Sequence, residues 1–428
     1  MDNTTTGIEM RKASLLATEL KGSEIIKLAG EIKDKIKAGQ TIYNFTIGDF
    51  DPKIFPIPQV LEDEIINAYK AKQTNYPPSN GILELRQSLS AFIEKKQGLK
   101  YSPLEFLIAG GGRPLIYAAF QAILDPEENA LFPVPSWNNN HYTTLSRGKQ
   151  VSVVASAKNN FMPSAADLKP HIADAGIIAL CSPLNPTGTV FPKEQLKDIC
   201  ELVIAENQRR AGIRKPLYVI YDQIYWQLCF GDTKHHDPVS LVPEMRDYTI
   251  YIDGISKAYG ATGVRVGWSF GPPTIIDKMK SILGHLGAWA PKPEQVATAK
   301  FLNNEVEVDK YLHNFKAELN DRLQAFYESF KTMHNDGLPV DVIAPQAAIY
   351  LTVKIDLVGR KTDSGHEIKT VQDTTAYLLD EAGIALVPFT AFGAEAGNPW
   401  YRLSVGTSKK EEIKLVTDKL RNAINRLT

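Results

Sequence analysis

The chain has 428 residues, of which 43% are hydrophobic and 23% charged, as in a globular protein with a sizeable core. Its 48 basic and 49 acidic residues nearly cancel, so no excess of positive charge favours a nucleic-acid partner. No apolar run reaches the roughly 18 residues that a membrane span needs, and the N-terminus lacks the features of a secretory leader. Cys181, Cys200 and Cys229 have neither disulfide nor zinc spacing. We therefore expect a cytoplasmic protein without a metal site.

Between about residues 100 and 270, short apolar runs alternate with amphipathic stretches. Strands are predicted at 105–110, 129–135, 150–156, 176–181, 216–222, 249–253 and 265–270, and helices at 114–124 and 194–210. Because these strands are apolar throughout and helices separate them, we predict an α/β fold with a mostly parallel sheet between helices. Such sheets bind ligands beyond the carboxyl ends of their strands.

The rest of the chain mixes strands with helices, which favours a smaller α+β unit. A long helix is predicted over about 305–333, and the polar stretch 359–374 is expected to form a surface loop. We expect an N-terminal segment at 1–50 that packs with a small C-terminal domain at 311–428. A large domain at 51–310 would hold the ligand site.

Polar residues follow three successive strands of the predicted sheet. The strand at 176–181 leads into a tight turn that contains Asn185. The strand at 216–222 ends in Asp222, with Tyr225 three residues later, and Lys257 follows the strand at 249–253. Taken singly, each residue fits an ordinary turn, a helix cap or a surface cation. Taken together, they bring an amide, a carboxylate, a phenol and an amine to one edge of the sheet.

Glycines and arginines around Lys257 indicate that an anion binds nearby. The segment SKAYGATGVRVGW at 256–268 has three glycines and an arginine, and GGGRP at 110–114 opens a predicted helix whose amides suit a phosphate. Pyridoxal phosphate needs all of these groups, since its aldehyde takes an amine and its ring nitrogen a carboxylate. We therefore predict this cofactor, with Lys257 on its aldehyde, Asp222 on its ring nitrogen, and Asn185 and Tyr225 on its ring oxygen. The predicted phosphate ligands are Gly112, Arg113, Pro114, Ser256 and Arg265.

These segments resemble the class I and II aminotransferases of fold type I. The motifs NPTG, YDQIY, SKAYGATGVRVGW and WYRLSVG occur in the order typical of that family. The resemblance implies that Lys257 forms the Schiff base with the cofactor and moves a proton during the reaction. It also implies that Arg402 clamps the substrate α-carboxylate, beside Asn185.

The same resemblance assigns three further residues. Trp137 is expected to stack on the cofactor ring, and the backbone of Gly48 to meet the substrate carboxylate. Tyr76 is expected to reach the phosphate of a neighbouring subunit, which implies a homodimer with shared active sites. Gly254 stands where many members of the family have a second serine before the lysine, so one phosphate contact is expected to differ.

The resemblance implies an aminotransferase that moves an amino group from an L-amino acid to a 2-oxo acid, expected to be 2-oxoglutarate, by a ping-pong mechanism. A β-lyase or another pyridoxal-phosphate enzyme of this fold would use the same residues. A non-catalytic ligand sensor is disfavoured because no basic helix-turn-helix precedes FTIGDFDP, and a dehydrogenase because no strand precedes G-x-G-x-x-G. An aspartate-type donor is expected first, but the apolar GAWAP at 287–291 leaves an aromatic or neutral donor open.

Overall fold

A computed structural model describes residues 13–20, 22 and 24–428. The predicted N-terminal helical segment therefore lies partly outside the described residues. The helices are α1 (Leu15–Glu19), α2 (Glu24–Lys37), α3 (Gln59–Lys70), α4 (Leu83–Gln97), α5 (Gly112–Ile123), α6 (Asn139–Leu145), α7 (Ala165–Leu168), α8 (Lys193–Arg210), α9 (Pro238–Leu241), α10 (Ile255–Ala258), α11 (Pro273–Leu286), α12 (Lys292–Asn303), α13 (Glu305–Asn335), α14 (Val371–Tyr377) and α15 (Ile413–Asn425). Across the described part of the chain, no helix combines the length and the apolarity that crossing a bilayer requires.

Two sheets of several strands and one short strand pair organise the chain. The strands are β1 (Tyr43–Asn44), β2 (Phe106–Ala109), β3 (Asn129–Val134), β4 (Lys149–Val154), β5 (Ala175–Cys181), β6 (Tyr218–Asp222), β7 (Thr249–Gly254), β8 (Gly267–Phe270), β9 (Val340–Val342), β10 (Tyr350–Ile355), β11 (Ile384–Ala385), β12 (Val387–Pro388) and β13 (Trp400–Ser404). The larger sheet has seven strands in the order β2-β8-β7-β6-β5-β3-β4.

The larger sheet is parallel except at β8, which runs antiparallel to both β2 and β7. The connection from β7 to β8 contains only the four-residue helix α10. Because a parallel neighbour usually needs a longer crossover, the chain turns back on itself here. The prediction of a mostly parallel α/β sheet is confirmed.

Both faces of this sheet are buried, which explains why its strands are apolar throughout. Successive residues of β7 point to opposite faces: Ile250 and Ile252 join the cluster that includes α5 and α11, whereas Tyr251 joins the cluster that includes α4, α8 and α12.

The smaller sheet has four antiparallel strands in the order β12-β13-β10-β9. Its apolar face packs with α13 and α15 in one cluster. Strand β1 pairs in parallel with β11, and Ile32 of α2 packs against Leu379 and Ala385. The domain boundaries at 50 and 310 remain a prediction, and α13 runs without a break across the second of them.

Neighbouring strand ends of the larger sheet define the position of the site. Cys181 at the end of β5 is paired in register with Asp222, and Asp222 with Ile252 of β7. Because these parallel strands end level with one another, the residues that follow them meet at one edge.

Candidate active site

Lys257 lies in α10, directly after the end of β7. Its Nζ donates a hydrogen bond of 2.6 Å to the backbone carbonyl of Gly48. The same Nζ is 6.0 Å from the ring centroid of Phe50 and 5.8 Å from that of Tyr225. The lysine predicted to bind the cofactor therefore lies between the N-terminal segment and the loop after β6.

The surroundings of Lys257 favour a neutral amine. The pKa of Lys257 is lowered from 10.5 to about 8, chiefly by burial; Asp49 opposes this shift, and the positive charges of Arg402, Arg113 and Arg265 contribute to it. An amine with a lowered pKa is neutral for a larger share of the time near neutral pH, as a nucleophile or a base must be.

Asp222, at the carboxyl end of β6, faces the same space. The pKa of its carboxyl group is raised to about 6 because burial outweighs the opposing effects of the Ile224 backbone N–H and the charge of Lys257. The Ile224 amide donates to Oδ1 over 3.1 Å. A protonated ring nitrogen beside this carboxylate would form a charge-assisted hydrogen bond and favour its ionised form.

Arg402 is a buried cation, with 2% of its surface exposed. Its Nη1 donates to Asn185 Oδ1 over 2.9 Å, and its Nη2 to the Thr46 carbonyl over 2.7 Å. Its Nε–H is buried without an acceptor among the described residues, none of which offers it a carboxylate within ion-pair distance. Because a buried guanidinium without an anion is costly, this position would favour an anionic ligand, and the prediction that Arg402 binds a carboxylate stays a prediction.

Gly48 and two tyrosines line the approach to Arg402. Tyr225 Oη and Tyr350 Oη are hydrogen-bonded at 2.7 Å. A Cβ on Gly48 would lie 2.8 Å from Tyr350 Oη and 3.6 Å from Arg402 Nη1. Position 48 therefore has no room for a side chain, and the backbone of Gly48 lies close to both the guanidinium and the Tyr350 hydroxyl.

Arg265 lies against the segment that leads into the N-terminus of α5, and we call this candidate anion site the cradle. Arg265 donates from Nη1 to the Thr262 carbonyl and from Nη2 to the Gly110 carbonyl, each over 2.8 Å. Gly111 has a φ of 95°, and a Cβ there would lie 2.3 Å from Arg265 Nη2. Arg265 itself has a φ of 61°, a conformation that its contacts must stabilise. Glycine at 111 thus lets the guanidinium reach the first amides of the helix.

The other predicted phosphate ligands lie next to this cradle. Gly112 is the first residue of α5, and Pro114 occupies the first turn, where its missing N–H removes no helical hydrogen bond. Ser256 is buried in α10 beside Lys257. The cradle, the buried amine and the open guanidinium fit the phosphate, aldehyde and substrate carboxylate that pyridoxal phosphate brings together.

The Trp137 ring lies between Arg113 and Phe392, and Phe392 in turn lies against Arg402. The Arg113 guanidinium carbon lies 5.3 Å from the Trp137 ring centroid. The Trp137 and Phe392 ring centroids are 6.2 Å apart, and the Arg402 guanidinium is 5.0 Å from the Phe392 ring. Phe392 was not predicted from the sequence.

Tyr76 has a different setting from the other predicted residues. It is 83% exposed, and its ring centroid lies 5.4 Å from that of Trp289. That Tyr76 reaches the phosphate of a neighbouring subunit remains a prediction. The exposed ring is compatible with it.

Sequence reasoning missed several residues of the site. Tyr350 and Phe392 lie in segments that carried no recognised chemical pattern, whereas Thr46 lies in the FTIGDFDP motif beside Gly48. Asp49, whose Oδ1 accepts from Thr262 Oγ1 over 2.6 Å, was present in the quoted FTIGDFDP motif. Because Asp49 is next to Gly48 in this motif, the sequence offered a reason to include it among the site residues.

Comparisons with known proteins agree with this geometry. A family model described as aminotransferase class I and II matches residues 40–420. The aspartate aminotransferase of Geobacillus stearothermophilus is 28% identical over 401 residues, which cover 93% of this chain and 95% of that protein. A bifunctional aspartate aminotransferase and glutamate/aspartate-prephenate aminotransferase of Petunia hybrida is 28% identical over 377 residues, or 87% of this chain and 75% of that protein. The crystal structure of the Rhizobium meliloti aspartate aminotransferase superposes with a TM-score of 0.88 at 24% identity, covering 98% of this chain and 100% of that one.

Proposed function

Because the chain belongs to the class I and II aminotransferases, which are pyridoxal-phosphate enzymes acting on amino acids and 2-oxo acids, we propose that it transfers the amino group of an acidic L-amino acid to 2-oxoglutarate. The observation that carries this proposal is the buried guanidinium of Arg402, which lacks a carboxylate partner among the described residues and lies in the pocket of Lys257. The names of the relatives, which are aspartate aminotransferases, favour aspartate as the donor.

The residues proposed to hold the cofactor surround Lys257. Asp222 keeps a proton on the ring nitrogen, and Asn185 and Tyr225 donate to the ring oxygen. Ser256, Arg265 and the first amides of α5 bind the phosphate, and Trp137 covers the ring. When bound, pyridoxal phosphate supplies an electron sink that makes the Cα proton of the amino acid acidic.

Lys257 is the residue that we assign to proton transfer. Its amine would hold the aldehyde of the bound cofactor. When free, its Nζ would accept the proton from the substrate Cα, for which its lowered pKa suits it. One residue thus serves as anchor, base and acid.

Arg402 and Gly48 are proposed to orient the substrate. The guanidinium would bind the α-carboxylate through two parallel N–H groups, and glycine at position 48 keeps a side chain from crowding that guanidinium. Because the carboxylate is held rather than released, decarboxylation is disfavoured. A β-lyase would use the same contacts, and is distinguished by forming a 2-oxo acid without any added acceptor.

Arg113 supports an acidic donor. The charge of Arg113 is one of the causes that lower the pKa of Lys257, so the two groups lie near each other. Its guanidinium lies against the Trp137 ring and forms no ion pair with an acidic residue of the described chain. Arg265 already serves the cradle, so Arg113, predicted from the sequence to bind phosphate, is left to attract the side-chain carboxylate. In an Arg113→Gln variant, we expect the KM for aspartate to rise about tenfold and that for alanine to change little. Weaker binding of pyridoxal phosphate in that variant would instead place Arg113 at the phosphate.

The proposed assembly is a homodimer that works in the cytoplasm. The exposed Tyr76 ring supports a shared site, and the three cysteines are free, as expected in a reducing compartment. A Tyr76→Phe variant should bind the cofactor more weakly in the dimer if this ring reaches the partner's phosphate.

Two experiments test the proposed function. A panel of amino donors with 2-oxoglutarate should give the highest kcat/KM for aspartate or glutamate, and faster turnover of phenylalanine would overturn the acidic assignment. Lys257→Ala should abolish turnover and the absorption band of the lysine-linked cofactor, while cofactor still binds without a covalent bond. Turnover retained in that variant would reject Lys257 as the reactive amine.

A further inference from the structure

One buried carboxylate behind the site has no part in the proposed reaction. Asp253, near the end of β7, is 0% exposed. Its Oδ1 accepts a hydrogen bond of 2.7 Å from the backbone N–H of Gly254. Its Oδ2 accepts one of 2.8 Å from the indole Nε1–H of Trp226. The two oxygens therefore hold two different segments of the chain.

The two segments held by Asp253 carry the central residues of the site. Gly254 leads directly into the helical turn that contains Lys257. Trp226 lies in the loop after β6, four residues beyond Asp222 and next to Tyr225. One carboxylate thus joins the loop of Asp222 to the turn of Lys257.

Asp253 acts from the opposite face of the sheet. Ile252, its neighbour in β7, pairs in register with Asp222, and successive residues of a strand point to opposite faces. Asp253 therefore supports the two loops from behind and does not face the substrate.

The turn after Asp253 is also confined by β8. A Cβ on Gly254 would lie 2.9 Å from the Val266 carbonyl oxygen and 3.0 Å from Gly267 Cα. The backbone at Gly254 has no room on that side, so its position is set by β8 and by Asp253 together. Loss of one hydrogen bond at Asp253 would leave the loop with Trp226 as the part that is free to shift.

We propose that Asp253 is a positioning residue for the amino transfer, which fixes the carboxylate of Asp222 relative to the amine of Lys257. This inference rests on the proposed roles of those two residues. An aminotransferase needs both groups correctly placed at once, because one holds the ring nitrogen while the other moves the Cα proton. A misplacement of about 1 Å in such a pair can cost about 100-fold in rate.

The charges around Asp253 are few. The pKa of Asp253 is raised to about 8, chiefly by burial and also by the charge of Asp222, while the hydrogen bonds from Gly254 and Trp226 lower it. The phenol of Tyr259 is the other titratable group that its charge affects. A change at Asp253 is therefore expected to reach the cofactor through Asp222.

The test compares Asp253→Asn with Trp226→Phe, which removes the hydrogen bond from its other end. In each holoenzyme, kcat should fall about tenfold with KM within about twofold, and the pH midpoint of the cofactor's visible absorption should move by at least about half a unit. The double variant should be no worse than Asp253→Asn alone, because both changes remove one interaction.

Asp237→Asn is the matched control. Asp237 is also buried, but it accepts from Tyr251 Oη and from the first amides of α9, away from Lys257. This variant should lose stability and keep the absorption midpoint of the parent enzyme. If Asp253→Asn does not fold, the kcat and the absorption midpoint of Trp226→Phe alone test the role of Asp253.

Two results would overturn the inference. Either Asp253→Asn and Trp226→Phe keep the parent midpoint and kcat, or their effects add independently. If these variants behave like the parent while Lys257→Ala is inactive and lacks the absorption band, only the role of Asp253 is wrong. If Lys257→Ala retains the band, the proposed function itself fails.

Discussion

Replacing Lys257 by methionine should stabilise the cofactor-free protein at neutral pH. The folded protein lowers the pKa of this amine from 10.5 to about 8, chiefly through burial. Below pH 8, both the folded and the unfolded protein carry the positive charge, and the folded state bears the full cost of burying it. Between pH 8 and 10.5 the folded protein loses the proton first, so its stability rises with pH in that window.

The size of the effect follows from the same pKa values. A fall from 10.5 to about 8 corresponds to about 3.4 kcal/mol at pH 7. Methionine cannot donate to the Gly48 carbonyl, which accepts from Nζ over 2.6 Å, and leaving this acceptor unpaired costs about 1 kcal/mol. The expected net gain is therefore about 2 kcal/mol, or about 2 °C in Tm for a chain of this length.

The assay is chemical or thermal unfolding of the cofactor-free parent and variant at equal protein concentration, at pH 7.0 and at pH 9.5. At the higher pH, the expected advantage of the variant shrinks by about 2 kcal/mol, because most of the parent's cost has been relieved. If Lys257→Met is no more stable than the parent at pH 7, or if its gain is equal at both pH values, the amine is not destabilised by its surroundings.

Three further substitutions test the site. Arg402→Lys keeps a positive charge but loses the fork of two N–H groups, so the KM for amino acids should rise about 10- to 100-fold while the spectrum of the bound cofactor is kept. Asp222→Asn removes a charge-assisted hydrogen bond worth about 1.5–3 kcal/mol, so the rate of the amino-acid half-reaction, followed by stopped-flow absorption, should fall about 10- to 100-fold. Gly111→Ala places a Cβ 2.3 Å from Arg265 Nη2 at a φ of 95°, so both Tm and the affinity for pyridoxal phosphate should fall, by about 1–3 kcal/mol in stability. If Gly111→Ala binds pyridoxal phosphate as tightly as the parent does, the cradle does not bind the cofactor phosphate.

The sequence alone was sufficient to predict the main sheet and to place Asn185, Asp222 and Lys257 near one edge of it. The reason is that buried parallel strands are continuous apolar runs, whose positions can be read directly, and that their carboxyl ends must meet at one edge. Asn185, Asp222 and Lys257 each follow such a run, so a local pattern was enough to bring them together. The motifs around them supplied the resemblance to the aminotransferases, which the family match confirmed.

Other features depend on contacts between segments that are distant in the chain, and only the tertiary structure decided them. The hydrogen bond between Arg402 and Asn185 joins residues 217 positions apart, and the bond between Tyr225 and Tyr350 joins residues 125 apart. The reversed direction of β8 and the fastening of two loops by Asp253 likewise depend on how elements pack, since neither leaves a periodic or local signal. A residue's neighbours along the chain strongly influence its secondary structure. The burial that lowers the pKa of Lys257, and that encloses Arg402 with no carboxylate from the described residues, exists only once distant segments exclude water together.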